Sequence, residues 1–107
     1  MAQNHFISVS KQGVLWARRK GAAPVQIATA AQGLRVRPSK WLPGALVVFF
    51  RHGGRHRDVD VTHVQVGETA LGVEDFQTRF SVSDAELGQW MREAVDEALD
   101  AADRDSA

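Results

Sequence analysis

Three arginines and two histidines surround a glycine pair in Arg51-His52-Gly53-Gly54-Arg55-His56-Arg57. A planar guanidinium makes bidentate contacts to phosphate, and glycines let backbone N–H groups approach an anion closely. A second cationic run, Arg18-Arg19-Lys20, has the same chemistry. Together Arg18, Arg19, Lys20, Arg51, His52, Arg55, His56 and Arg57 form a candidate polyanion-binding set. Trp16 and Trp41 would add base stacking if exposed beside it. The same segment permits a ribonuclease reading, with His52 or His56 as general acid–base and Arg51, Arg55 or Lys40 stabilising phosphate charge. The chain has no tyrosine, however, and the basic segment holds no carboxylate base. His52 and His56 would share a side only on a helix, which Gly53-Gly54 opposes. Asp58 and Asp60 read as solvated strand acids, so no metal site is assigned. No Gly-rich phosphate loop or Ser/His/Asp arrangement stands out, and neither catalytic residues nor a cofactor are assigned.

The opposite charge gathers elsewhere. Residues 1–57 carry ten Lys+Arg and no acid, a net of +10. Residues 58–107 carry three Arg and 13 acids, a net of −10, so the chain sums to zero. Such asymmetry points to nucleic acid, to a charged protein partner, or to two halves that neutralise each other on folding. Glu93, Asp96, Glu97 and Asp100 form an anionic stripe suited to a basic protein surface. The complementary halves would also permit head-to-tail self-association.

At 107 residues and 44% hydrophobic composition the chain suits one compact domain, residues 1–102, followed by a frayed acidic tail, 103–107. Without cysteine there is no disulfide framework, thiolate metal cage or cysteine nucleophile. The longest apolar run, Ala45 to Phe50, is far shorter than the roughly 20 residues of a membrane helix. Met1 to Gln12 lacks the apolar core of a signal peptide, which points to a cytoplasmic protein.

The elements that must position these groups are mostly strands. His5 to Ser10 sets Ile7 and Val9 on one face and Phe6 on the other. Val14 to Arg19 follows a turn at Gly13, and Pro24 to Thr29 places Val25 and Ile27 together. Gly33 to Arg37 alternates Leu34 and Val36 inward with Arg35 and Arg37 outward. Ala45 to Phe50, apolar on both faces, reads as a central, fully buried strand rather than a half-exposed one. Gly53-Gly54 marks a hairpin turn. The apolar phase slips from Val59 and Val61 to Val64 and Val66, which predicts a bulge near Thr62-His63. Two further short strands are expected at Ala70 to Val73 and Phe76 to Val82. Ser83-Asp-Ala-Glu86 has capping-box spacing. It opens a helix to about Ala102, whose stripe is Leu87, Trp90, Met91, Ala94, Val95, Ala98 and Leu99.

The segment Phe80-Ser-Val-Ser-Asp-Ala-Glu-Leu-Gly-Gln-Trp-Met-Arg-Glu-Ala-Val95, a strand leading into a capped helix with a central Trp, resembles the closing element of the pleckstrin-homology superfold. Lys11-Gln-Gly-Val-Leu15 looks like that family's first strand. The resemblance implies a β-sandwich whose open end Trp90 plugs, with Arg18, Arg19 and Lys20 near the basic region between the first two strands. It also implies a binding module for phosphoinositides or protein segments.

The sequence therefore predicts an α+β fold, a mostly antiparallel sheet or partial barrel of six to seven short strands closed by one C-terminal amphipathic helix. The leading functional expectation is a non-catalytic module whose basic hairpin surface engages a polyanion, in the first place nucleic acid. The alternative is a protein–protein module or small inhibitor, such as a mobile-element product blocking a host nucleic-acid-binding machine, and a ribonuclease-like enzyme comes third.

Overall fold

A computed structural model describes residues 5–53 and 59–105. Period-2 alternation of apolar residues builds two antiparallel sheets. The first is β1 (His5–Val9), β2 (Val14–Arg19) and β3 (Val25–Thr29), in that order. The second is β4 (Leu34–Val36), β5 (Leu46–His52), β6 (Val59–Val66) and β7 (Thr69–Gly72), also in chain order. Two helices follow, α1 (Val73–Phe80) and α2 (Asp84–Asp105). The fold is α+β, with seven strands in two sheets that do not close into a barrel.

The inward phases follow the sequence pattern. Val9, Leu15, Ala17, Leu34, Val36, Leu46, Val48 and Phe50 are all buried in one core cluster. Strand β5 lies between β4 and β6. It is central but not fully buried: Val47 and Phe49 are half-buried on the second face, which no described helix or sheet seals, and there Phe49 stacks on His63 with ring centroids 4.5 Å apart. The bulge expected near Thr62-His63 is present. Phe49 pairs with His63 but Phe50 pairs with Val61, so Thr62 is passed over and both valine phases point inward.

One element corrects the expectation of a strand at Phe76 to Val82. Residues 73–80 are helical, and a second helix joins the fold. Val73, Phe76 and Phe80 fit a period of 3.6 as well as Phe76, Phe80 and Val82 fit a period of 2, and packing selects the helix. Phe76 is fully buried, with Phe80 against it at 5.4 Å between centroids. Glu74 and Asp75 sit in the first turn, where the helix dipole favours acids, and Arg79 sits in the last. Ser81 then takes a left-handed conformation (φ 55°) and Val82 N–H donates back to the Gln77 carbonyl at 2.9 Å, ending α1.

Helix α2 opens with the capping box read from the sequence. Glu86 N–H donates to Ser83 Oγ at 3.0 Å, and Ser83 N–H donates to Glu86 Oε1 at 3.2 Å. Its apolar stripe closes the core, and Trp90, 1% exposed, donates its indole N–H to Ser39 Oγ at 3.1 Å. The helix does not stop at Ala102 but continues to Asp105. The β4–β5 loop is held against the β6–β7 turn at Gly44 (φ 84°), where a Cβ would stand 2.7 Å from Gly67 Cα. Among the described residues no helix is long and apolar enough to cross a membrane.

Candidate functional site

The cationic run Arg18-Arg19-Lys20 is contiguous in sequence but does not form one patch. In a strand successive side chains point to opposite faces. Leu15, Ala17 and Arg19 share the core side of β2, while Trp16 and Arg18 share the outer side. Arg19 leaves the core edge directly beneath α2. It donates to Asp96 Oδ1 at 2.9 Å, Asp100 Oδ1 at 2.8 Å and Asp103 Oδ2 at 2.9 Å. These carboxylates, at i, i+4 and i+7, form one row along the helix. The hydrogen bond to Asp96 is the largest of the effects that raise the Arg19 pKa above its ordinary value. Acids that would oppose the α2 dipole are thereby offset by a cation from the basic half.

The acidic stripe is thus divided. Asp96 and Asp100 are bound to Arg19. Glu97 stands 3.7 Å from Arg37, and Glu93 accepts a hydrogen bond from Gln89 at 3.0 Å. Glu93 and Glu97 line a groove of about 780 Å³ between β4 and the second half of α2, together with Arg35, Arg37 and Arg104. Three arginines and two glutamates give this groove both signs of charge.

At the hairpin, Arg51 lies opposite Asp60 in the β5–β6 register and donates to it at 2.6 Å. His52 lies opposite Val59. Arg55, His56 and Arg57, with Gly54 of the expected turn and Asp58, lie outside the described residues. Among the described residues no three His, Asp or Glu side chains converge in a metal-binding arrangement.

The outer face of the first sheet brings together what the sequence kept apart. Phe6 pairs with Arg18 and Ser8 with Trp16 across β1 and β2, so Phe6 and Trp16 are diagonal neighbours on one surface. Phe6 is 55% exposed and Trp16 36%. The Arg18 guanidinium carbon lies 5.0 Å from the Phe6 ring centroid, a cation–π contact. Phe6, Trp16, Arg18 and Pro24 line a shallow depression of about 390 Å³. None of the three strands carries an acid. The exposed Lys20 follows β2 at the Phe6–Arg18 end of the sheet. Trp41 is 85% exposed but belongs to the β4–β5 loop; its neighbour Lys40 donates to the Ser81 carbonyl at 2.8 Å and pairs with Glu86 at 3.1 Å. Lys40 and the Ser83 N–H hold the Glu86 carboxyl below its ordinary pKa, the Ser83 N–H foremost.

Phe6 is the residue that a search for charged motifs overlooks. Its signal was its phase, as an aromatic opposite Ile7 and Val9 in a short strand. His5, on the inner face of the same strand, has an almost fully buried side chain whose Nδ1 finds no hydrogen-bond partner among the described residues and lies 3.9 Å from Asp96 Oδ1. Burial lowers its pKa and Arg19 and Arg92 act in the same sense, against Asp96. Compared with protein-family models, with the curated proteins and with the solved structures, the chain matches none. The class that can be stated is a two-sheet α+β protein with an aromatic, cationic, acid-free sheet face.

Proposed function

We propose that this protein is a non-catalytic binding module that engages nucleic acid through the outer face of β1–β2–β3. The observation that carries the reading is the Arg18–Phe6–Trp16 surface, which offers a cation and two exposed aromatics with no acid in its strands. Phosphates meet guanidinium and ammonium groups there, and aromatic faces stand beside them. Arg19 belongs to the structural ion-pair cluster rather than to the binding surface, and Arg18 and Lys20 remain for the ligand. The two sheets of three and four antiparallel strands, closed by a helix with buried Trp90, support kinship with the pleckstrin-homology superfold. The acid-free aromatic face is what favours nucleic acid over a lipid headgroup. The test is a salt titration against short DNA and RNA. Binding should weaken linearly in log salt, and Arg18→Ala should flatten the slope by about 0.7 to 0.9, one phosphate contact. Binding to anionic vesicles with none to DNA or RNA would overturn the assignment.

A second reading, a protein-interaction module, is favoured by the mixed-charge groove beside the short edge strand β4. An extended segment carrying both charges fits that chemistry. It requires a discrete protein partner whose binding is lost on Glu93→Lys or Glu97→Lys, and a pull-down with these variants tests it.

A further inference from the structure

We infer that the sheet face selects single-stranded over duplex nucleic acid by stacking two neighbouring bases, one against the Arg18–Phe6 pair and one against Trp16. This inference rests on the proposed function and specifies its substrate. Three observations carry it.

The first is spacing. Phe6 and Trp16 occupy diagonal positions across an antiparallel pair, and such positions lie about 7–8 Å apart. Successive nucleotides of a stacked duplex strand rise only about 3.4 Å. Bases stacked at that rise cover one another's faces, so a duplex presents none to either ring. A single strand with its bases splayed apart meets both.

The second is the state of Arg18. Its guanidinium lies over one face of Phe6, 5.0 Å from the centroid. The ring already holds the cation over the sheet face. The cation's free face can stack on a base while its N–H edges point to a neighbouring phosphate. A guanidinium held in this way loses little further freedom on binding.

The third is the surroundings. The exposed Lys20 follows β2 at the Phe6–Arg18 end, and no acid occurs on any strand of the sheet. Ser8, opposite Trp16, and Gln26, its partner on β3, add hydrogen-bonding groups around the indole. This is the composition of a single-strand platform: cationic along the backbone path and aromatic under the bases.

The experiment compares the full chain's affinity for three fluorescent probes at several salt concentrations. The probes are a single-stranded oligonucleotide, its duplex, and an abasic strand with the same number of phosphates. The single strand should bind at least about tenfold tighter than either of the others, with similar salt slopes. Trp16→Ala and Phe6→Ala should each cost about tenfold on the single strand and leave the slope unchanged, whereas Trp16→Phe should retain most of the affinity. Circular dichroism of each variant separates loss of stacking from loss of fold. Equal affinity for all three probes would overturn base stacking and leave phosphate binding standing. Absence of binding to every probe at about 50 mM salt, where phosphate contacts are strong, would overturn the underlying reading itself.

Discussion

On the outer face of the first sheet Arg18 lies over the Phe6 ring and faces solvent. On the inner face, one residue further along β2, Arg19 is held by three carboxylates of α2. The two residues have the same chemistry and nearly the same address, and the pleat sends them to opposite sides. The inner region is where the basic and acidic halves of the chain cancel, and the outer region is where the basic half remains uncancelled. A cluster of charge in a sequence is therefore not yet a surface. Strand period decides which members are available to a ligand and which hold the fold together.

The comparison can be broken most severely through the tryptophans. Trp90→Ala on the inner side should cost about 3–5 kcal/mol, because it empties a fully buried site. Trp16→Ala on the outer side should cost no more than about 1 kcal/mol, an ordinary substitution, while weakening nucleic-acid binding. Denaturant unfolding of the two variants checks the contrast. Equal losses would mean that Trp16 is also structural.

Next in size is Gly44→Ala, which forces a Cβ against the Gly67 backbone at a positive φ. A destabilisation of about 1–3 kcal/mol is expected, with nucleic-acid affinity unchanged because the β4–β5 loop lies apart from the first sheet. Ser83→Ala removes the α2 cap and should cost about 1 kcal/mol by thermal or urea melting.

The smallest effect sharpens the inner region itself. Burial of His5 lowers its pKa below the ordinary 6.5, so near that pH the unfolded state binds more protons than the folded one. Stability then rises with pH, and falls as pH drops from 6.5 toward the folded-state value. His5→Gln should flatten the urea-melt stability profile in that window. Glu86 acts in the acid range: its depressed pKa contributes stability above its ordinary 4.5 that is lost as pH falls below it.

Much of the scaffold is legible in the residues. The inward phases of β1, β3 and β4, the bulge at Thr62, the Ser83–Glu86 box and the α2 stripe are all local patterns. Each is read over fewer than about 20 neighbouring residues with periods that steric geometry dictates. Helix α1 was not legible, because the apolar residues from Val73 to Val82 satisfy two periods and burial of Phe76 chooses between them. The candidate site was half legible. Arg18 and Trp16 stand out by type, but Phe6 becomes part of the surface only through its register with Arg18.

What the chain determined by itself, then, was the alternation that separates neighbouring side chains and the charge segregation that supplies the partners. What only the tertiary structure decided was the pairing across the chain. Arg19 meets Asp96, Asp100 and Asp103 over separations of 77, 81 and 84 residues. Local alternation sets Arg19 on the inner side of β2, but it carries no information about which element will cover that side. That depends on where α2 lands on the sheets, and the landing is set by apolar packing around Trp90 and Val95 rather than by the charges it brings together.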